Sequence, residues 1–509
     1  MKKILCTVLS LILILSLVSP ALAAGDRDRF TITDPYAAID WDSVRQYKTA
    51  LHSHTNASDG DHTLYESLER HYRTGFDIVA VTDHGVVDEG WDDGAKNNLI
   101  KRFLSVLGRS AGDLVYLGET GAFSDGTPYA YKTTVTGDHY LYAGDRVIMQ
   151  LPYGVENNAV SVNAHVNSWF VNDTDNSVTT YADAVRRVER LGGLSVINHP
   201  GEYTKARYAL SSDEAYNTGN AAYAYYVNMY ADLLDRCPSC IGIDVNSKGD
   251  NRTRFDRVLW DELLTRFSAN GKTVGAIASS DAHQLDKIDT GFTLLLMPTL
   301  SAAAAKRALA NGEYFAASHC NGNPEELRDI ASALRVYYGE NAPTLRQVEE
   351  TLAKMDERIA GIKSGKYGRD DAIGVEYTVL DDEGFTTVDT FPTVRRVTVD
   401  DDENTIALET DDALLVRFVS NGRLIATLPA SEAVLRLDDY TDVLGDYVRA
   451  EVWGEGGVLY TQAFLLNAEQ NAGKSKVATG IRELGFFDFL LAELNRWFTV
   501  VARFFRSVF

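Results

Sequence analysis

The sequence predicts an α/β fold, a β/α barrel or an open α/β sheet, and three repeated units predict it. Leu64, Leu68 and Tyr72 space a helix that stops at Gly75, and Ile78 to Val81 form an apolar strand that ends in Thr82, Asp83 and His84. Val185, Val188 and Leu191 space a second helix, Gly192 and Gly193 stop it, and Leu194 to Ile197 run into Asn198, His199 and Pro200. Val258, Leu259, Leu263 and Phe267 space a third, Gly271 stops it, and Val274 to Ile277 run into Ser280, Asp281, Ala282 and His283. Glycine after a last helical turn supplies the left-handed cap. Short, continuously apolar strands after helices imply a parallel sheet buried on both faces.

In each unit the polar cluster falls at the C-terminal end of the strand. Barrels and open α/β sheets both gather their active sites there. The spacing therefore predicts a site as well as a fold.

The repeating pattern occupies residues 45–320. Residues 321–370 read as a helical extension, with two exposed helices over Pro324 to Tyr338 and Leu345 to Ile362. In residues 371–470 period-2 strands take over. Leu414 to Val419 and Leu424 to Thr427 flank Asn421-Gly422, a strong hairpin signal. A second hairpin joins Tyr447 to Trp453 with Val458 to Phe464. This segment reads as a small β-sandwich-like domain.

The two ends read differently from the middle. Residues 1–23 carry Lys2 and Lys3, an apolar core and the exit Ala21-Leu22-Ala23, the pattern of a signal peptide. The expected location is secreted or extracytoplasmic. Residues 480–509 place Phe487, Leu490, Leu491, Leu494, Phe498 and Val501 on one face of an amphipathic helix. Such a helix can associate with a membrane surface, cap a core or pair with a second copy. In an exported chain the close pair Cys237 and Cys240 suggests a local disulfide.

Of 509 residues, 45% are hydrophobic and 24% charged, enough apolar surface for a globular protein of two or three units. The formal net charge of −23 repels phosphate backbones and excludes nucleic acid as a general partner. It also repels small phosphate esters at long range, so a phosphoesterase of this composition needs metal ions to reverse the sign locally.

The candidate ligands supply such a site. His52 and His54 follow a strand-like run, and residues two apart on a strand face the same way, so the pair can grip one ion. Asp281 and His283 repeat that offset. Asp59, His84, His165 and His199 complete the set, which takes in six of the ten histidines together with two acids. Neither chance nor a surface role accounts for that clustering at strand ends. Lys248, Arg252 and Arg254, after the strand Ile241 to Asn246, are the nearest cations to the expected site; they could meet a substrate phosphate, but the favoured reading is a solvated loop. Asp83 and Asn198 read as residues that orient a ligand or cap a turn.

Four motifs in order, HSHTNASDG, AVTDHG, INHPG and SSDAH, resemble those of the polymerase-and-histidinol-phosphatase (PHP) metal-dependent phosphoesterases, over about Thr49 to Ser318. The strands VRAEVW and GVLYTQAF resemble, more loosely, the tail domain of a secreted PHP branch that includes carbaryl hydrolase. The resemblance implies a distorted (β/α)7 barrel with two or three divalent ions, zinc, manganese or iron. It implies that His52, His54 and Asp281 hold the first ion, His165 and His199 the second, and Asp59, His84 and His283 a third.

It also implies a bridging glutamate, and two candidates are present. Glu156 lies nine residues before His165, whereas Glu119 lies 46 before it. The family spacing favours Glu156. If Glu119 were the ligand, His139 would rival His165. Asp281, His199 and Glu156 are the residues expected to carry catalysis.

The expected function is an exported metal-dependent hydrolase acting on a small phosphorylated ester. Hydrolysis of a carboxyl ester or carbamate by the same ions is the second reading. A surface binding protein with a structural metal site is the third, disfavoured because structural zinc sites are closed and four-coordinate.

Overall fold

The computed structural model describes residues 30–92, 117–158, 165–173, 180–215, 221–369 and 373–467. The expected signal peptide and C-terminal amphipathic helix lie outside them. Among the described residues, no helix is long and apolar enough to cross a membrane.

Seven strands surround the site: β1 Arg45–Ala50, β2 Ile78–Val79, β3 Val155–Glu156, β4 Val166–Trp169, β5 Leu194–Ile197, β6 Cys240–Asn246 and β7 Gly275–Ala278. β1 pairs parallel with β2, and β5, β6 and β7 pair parallel in sequence. Two single parallel bridges, Ser53 with Ala282 and His84 with Glu156, connect the ends of the two sheets. The hydrogen-bonded path therefore runs β1-β2-β3-β4-β5-β6-β7 and returns to β1.

The sheet is not wholly parallel. β4 runs antiparallel to both β3 and β5, and the nine residues between β3 and β4 are fewer than a parallel crossover needs. Outside the path, Gly291–Met297 pairs antiparallel with β1, and Tyr314–Ser318 pairs antiparallel with Gly291–Met297.

The three helix-to-strand units form as their sequences dictate. Helix α1, Leu64–Arg73, begins with a capping box in which Thr63 and Glu66 satisfy each other's backbone amides. Helix α2, Tyr181–Leu191, ends at Gly192 with φ 78°, the left-handed cap that frees the chain to turn into β5. Helix α3, Asp256–Ser268, buries Leu259, Trp260, Leu263 and Phe267 against β6 and β7. Each such side chain contributes about 1.5–3 kcal/mol of burial.

The segment Thr120 to Asp145 builds three antiparallel strands, Thr120–Ala122, Pro128–Thr133 and His139–Ala143, that extend the sheet from Arg146–Gln150. Glu119 stands exposed at the start of this meander, and His139 stacks on Tyr131 within it.

Two corrections concern the second half of the chain. Pro324–Tyr338 and Leu345–Lys363 are helices, yet they are not merely exposed: Leu327, Ile330, Leu334, Val348, Leu352 and Met355 enter the main core. Their apolar positions recur at three and four residues, which makes one continuous buried stripe. The C-terminal strands do not stand apart either. Ala413–Ser420 and Arg423–Pro429 form the expected hairpin, with Asn421 and Gly422 both at positive φ. Gly457–Tyr460, however, pairs with Tyr314–Ser318, so one C-terminal layer continues the main sheet. Gln462 adds two further bonds, accepting from the Ala276 amide at 3.0 Å and donating to its carbonyl at 2.9 Å.

Cys237 and Cys240 are free thiols rather than a disulfide, and both are buried. Cys240 opens β6 inside the core, where burial pushes its thiol up to about 12.

Candidate metal centre

The C-terminal ends of β1, β2, β3, β5 and β7 deliver their polar residues to one place. His52 and His54 leave β1 pointing to the same side, and their Nε2 atoms lie 3.0 Å apart. Asp281 Oδ1 stands 3.2 Å from His52 Nε2 and 3.1 Å from His54 Nε2. Glu156 Oε2 stands 3.4 and 3.3 Å from the same two nitrogens. Two imidazole nitrogens this close cannot both be satisfied by each other, and two buried carboxylates add charge beside them.

A divalent ion resolves the conflict. Ligand bonds of about 2.1 Å in a tetrahedral arrangement put donor atoms about 3.4 Å apart, close to the spacings found. Glu156 Oε2 and Asp281 Oδ1 are buried with imidazole nitrogens facing them, the surroundings of ligand atoms that share an ion with those imidazoles. The mixed imidazole and carboxylate set suits zinc, manganese or iron.

The remaining donors form two neighbouring groups. Glu156 turns its other oxygen, Oε1, to His165 Nδ1 at 2.9 Å and His199 Nε2 at 3.8 Å. On the outer side, Asp59 Oδ2 lies 3.4 Å from His84 Nε2 and 3.3 Å from His283 Nε2, and Asp59 Oδ1 lies 3.7 Å from His54 Nδ1. Three groups able to hold an ion result: His52, His54 and Glu156; Glu156, His165 and His199; and His54, Asp59, His84 and His283. The first is fully buried, while the third opens to solvent through Asp59, whose side chain is 44% exposed. All nine ligands expected from the sequence are thereby in one region. Glu119 and His139 belong to none of these groups.

The electrostatics follow from burial and mutual contact. Burial alone would raise the Glu156 carboxyl, but His84, His165 and His52 outweigh it and hold it well below the usual range. Asp281 is likewise held low against burial by His52, Lys248 and His54. Burial lowers His199 to about 4, and Lys248 adds to the effect, so its imidazole is neutral and able to ligate. His54 is opposed by burial and His84, yet hydrogen bonds to Asp281 and Glu156 raise it to about 9.

Surrounding residues fix the donors. Asn198 Nδ2 donates to Glu156 Oε1 at 3.0 Å and to Asn167 Oδ1 at 2.9 Å. Asp83 contacts no ligand imidazole directly. It accepts from the Thr55 amide at 2.7 Å, the Thr55 hydroxyl at 2.7 Å and the Ser58 hydroxyl at 2.6 Å, which pins the loop carrying His54 and Asp59. His199 and Asp281 have φ of 27° and 47°, a left-handed backbone that a residue with a Cβ adopts only under constraint.

Sequence reasoning missed two neighbours, Asn158 and Glu202, and left the role of a third, Lys248, open. Asn158 Oδ1 lies 2.5 Å from His84 Nδ1. Glu202 Oε2 lies 3.6 Å from His199 Nδ1, and Lys248 Nζ lies 2.9 Å from Asp281 Oδ2. For Lys248 this contact favours the site-facing alternative over the solvated loop, since β6 ends two residues before it and the strand-end rule reaches that far.

No family model and no curated protein matches the chain. Among solved structures it is similar to a two-domain protein containing a predicted PHP-like metal-dependent phosphoesterase from Bacteroides vulgatus, at 14% identity, over 87% of this chain and 91% of that one, with a TM-score of 0.31. PsfC from Pseudomonas syringae is matched at 14% identity over 52% of this chain and 88% of that one, with a TM-score of 0.27. The lesion-specific endonuclease PfuEndoQ from Pyrococcus furiosus is matched at 10% identity over 52% and 56%, with a TM-score of 0.28.

Proposed function

We propose that the chain is an exported metal-dependent phosphoesterase of PHP type, in which the closed path of seven strands is the distorted (β/α)7 barrel. The observation that carries this reading is Glu156, whose two oxygens face different histidine sets, as a carboxylate shared between two ions must. Donor geometry of this kind belongs to the chain itself and needs no relative.

When bound, two neighbouring divalent ions supply a nucleophilic water at neutral pH and stabilise the charge that develops on a phosphoryl group. The protein's part is to hold donors at fixed positions. Glu156, His199 and Asp281 are locked by Asn198, by burial and by strained backbone, so little reorganisation is left for the reaction. The exposed side of the His84, Asp59 and His283 group gives small molecules a way in.

The reading extends to the ends of the chain: a leader cleaved near Ala24, an extracytoplasmic location, and a tail helix that associates with the membrane surface. The signal-peptide pattern and the amphipathic spacing support it. A carbaryl-hydrolase-like member would share the same strands after the barrel.

Purified protein, with and without chelator, should be tested against phosphate monoesters, phosphate diesters, carboxyl esters and carbamates. Chelator-sensitive turnover of a phosphate ester is the expected result. Turnover of carboxyl esters or carbamates alone would shift the reading to that chemistry, and no turnover of any class would favour a binding protein.

A further inference from the structure

The loop after β6 carries a strained turn that the proposed metal chemistry does not explain. Lys248, Gly249 and Asp250 take φ of 54°, 68° and 67° in succession. The positive φ of Gly249 is one that side chains rarely adopt, and a Cβ there would also press on the Glu376 carboxylate at 2.9 Å. Lysine and aspartate adopt left-handed backbone only where the surroundings impose it.

Here the imposition comes from a buried charge network. Arg257 Nη1 and Nη2 donate to Asp250 at 3.0 and 2.8 Å, and the Gly322 amide donates to it at 2.7 Å. Arg257 is held in turn by Glu326 at 2.8 Å. Asp250, Arg257 and Glu326 are all buried. The outcome of this clamp is the orientation of one side chain at the site, that of Lys248.

Lys248 Nζ lies 2.9 Å from Asp281 Oδ2 and 3.3 Å from Glu202 Oε1. Glu202 Oε1 also faces Arg207 at 3.7 Å and Arg252 at 3.8 Å, so three cations share one carboxylate. With Asp281 engaged as a metal donor, this wall is positive within a chain of net charge −23. The Lys248 side chain is 21% exposed and that of Arg252 40%, so the positive wall reaches solvent.

We propose that Lys248, with Arg252 beside it, is the specificity residue that selects a dianionic phosphate monoester over a monoanionic diester. This inference rests on the phosphoesterase reading above and names its substrate class. A monoester near neutral pH presents three terminal oxygens and nearly two charges, whereas a diester presents two oxygens and one. An ammonium at the margin of a low-dielectric site gains more from the former. A lysine that served only as counter-ion to Asp281 would affect both substrates alike.

The test uses the full chain and its Lys248→Met and Lys248→Arg variants, each loaded with manganese and checked by elemental analysis. Inorganic phosphate affinity is measured calorimetrically beside kcat/KM for a monoester and a diester of the same alcohol. With Lys248→Met, phosphate affinity and monoester kcat/KM should each fall about tenfold or more, and diester kcat/KM less than about threefold. Metal content should be unchanged, and Lys248→Arg should restore most of the loss. Equal losses on both esters, unchanged phosphate affinity, or lost metal in Lys248→Met would overturn the proposal. If the unsubstituted chain cleaves no phosphate ester, the functional reading fails by itself, while the phosphate titration still decides whether Lys248 binds the dianion.

Discussion

Oε1 of Glu156 lies 2.9 Å from Nδ1 of His165, nine positions further along the chain. The contact arises because β3 and β4 run antiparallel, with Glu156 opposite Asn167. The other Glu156 oxygen turns to His52, His54 and His84, which arrive on β1 and β2. One carboxylate therefore joins the two halves of the strand path.

The loop that carries His54 and Asp59 depends on Asp83. Asp83→Ala removes three charge-assisted hydrogen bonds, at 2.6 to 2.7 Å, without touching a donor atom. Metal affinity should drop about 10- to 100-fold, as expected for a residue that orients ligands. Competition with a metallochromic chelator measures it, and unchanged affinity would show that the loop holds itself.

His71 predicts an acid-sensitive term in stability away from the ligands. Burial lowers this imidazole from 6.5 to about 4, and its Nδ1–H donates to the Ser67 carbonyl at 2.8 Å. The folded state therefore favours the neutral ring. Its contribution is complete above pH 6.5 and is lost as pH falls towards 4, where the unfolded chain binds a proton that the folded one refuses. The full effect is about 3 kcal/mol. Urea unfolding of the parent and of His71→Leu, at several pH values from 7 to 4, should show the parent losing the greater stability. Parallel pH profiles would contradict this.

The C-terminal strands are expected to hold the strands around the site in place. Gln462→Ala leaves the amide and carbonyl of Ala276 unpaired in the core, at a cost of about 1–3 kcal/mol. A chain ending before residue 373 should lose soluble expression, because the edge of Tyr314–Ser318 is then unpaired. A truncated chain that folds and binds metal normally would show instead that the two parts are independent.

The helix-to-strand units were legible because their signals are local. Gly192, the Thr63 to Glu66 capping box and the apolar spacing of Leu259, Leu263 and Phe267 act within a few residues. His84, His199, Asp281 and His283 were legible because each stands at the end of such a unit, whereas His165 precedes β4 and was legible only through the spacing of the family motifs. What local pattern could not show was long-range pairing. The register of Gly457–Tyr460 on Tyr314–Ser318 brings together residues more than a hundred apart, and nothing in either segment names the other. Lys248 was legible as a cation near the site, but its direction was not, for a related reason. Its direction is set by a left-handed turn that Arg257, on one segment, and Gly322 and Glu326, on another, hold in place.

The central claim is that Glu156 is shared between ions, and the most direct measurement is the metal content of the purified chain beside Glu156→Gln and Glu119→Gln, by elemental mass spectrometry. The parent should hold two or three divalent ions per chain, as the three donor groups imply. Glu156→Gln should lose at least one ion and weaken metal binding by more than the roughly 100-fold typical of residues behind the ligands, with its circular dichroism spectrum kept. Glu119→Gln, exposed at the start of the meander, should match the parent. Full metal occupancy in Glu156→Gln, or its loss in Glu119→Gln, would contradict the account.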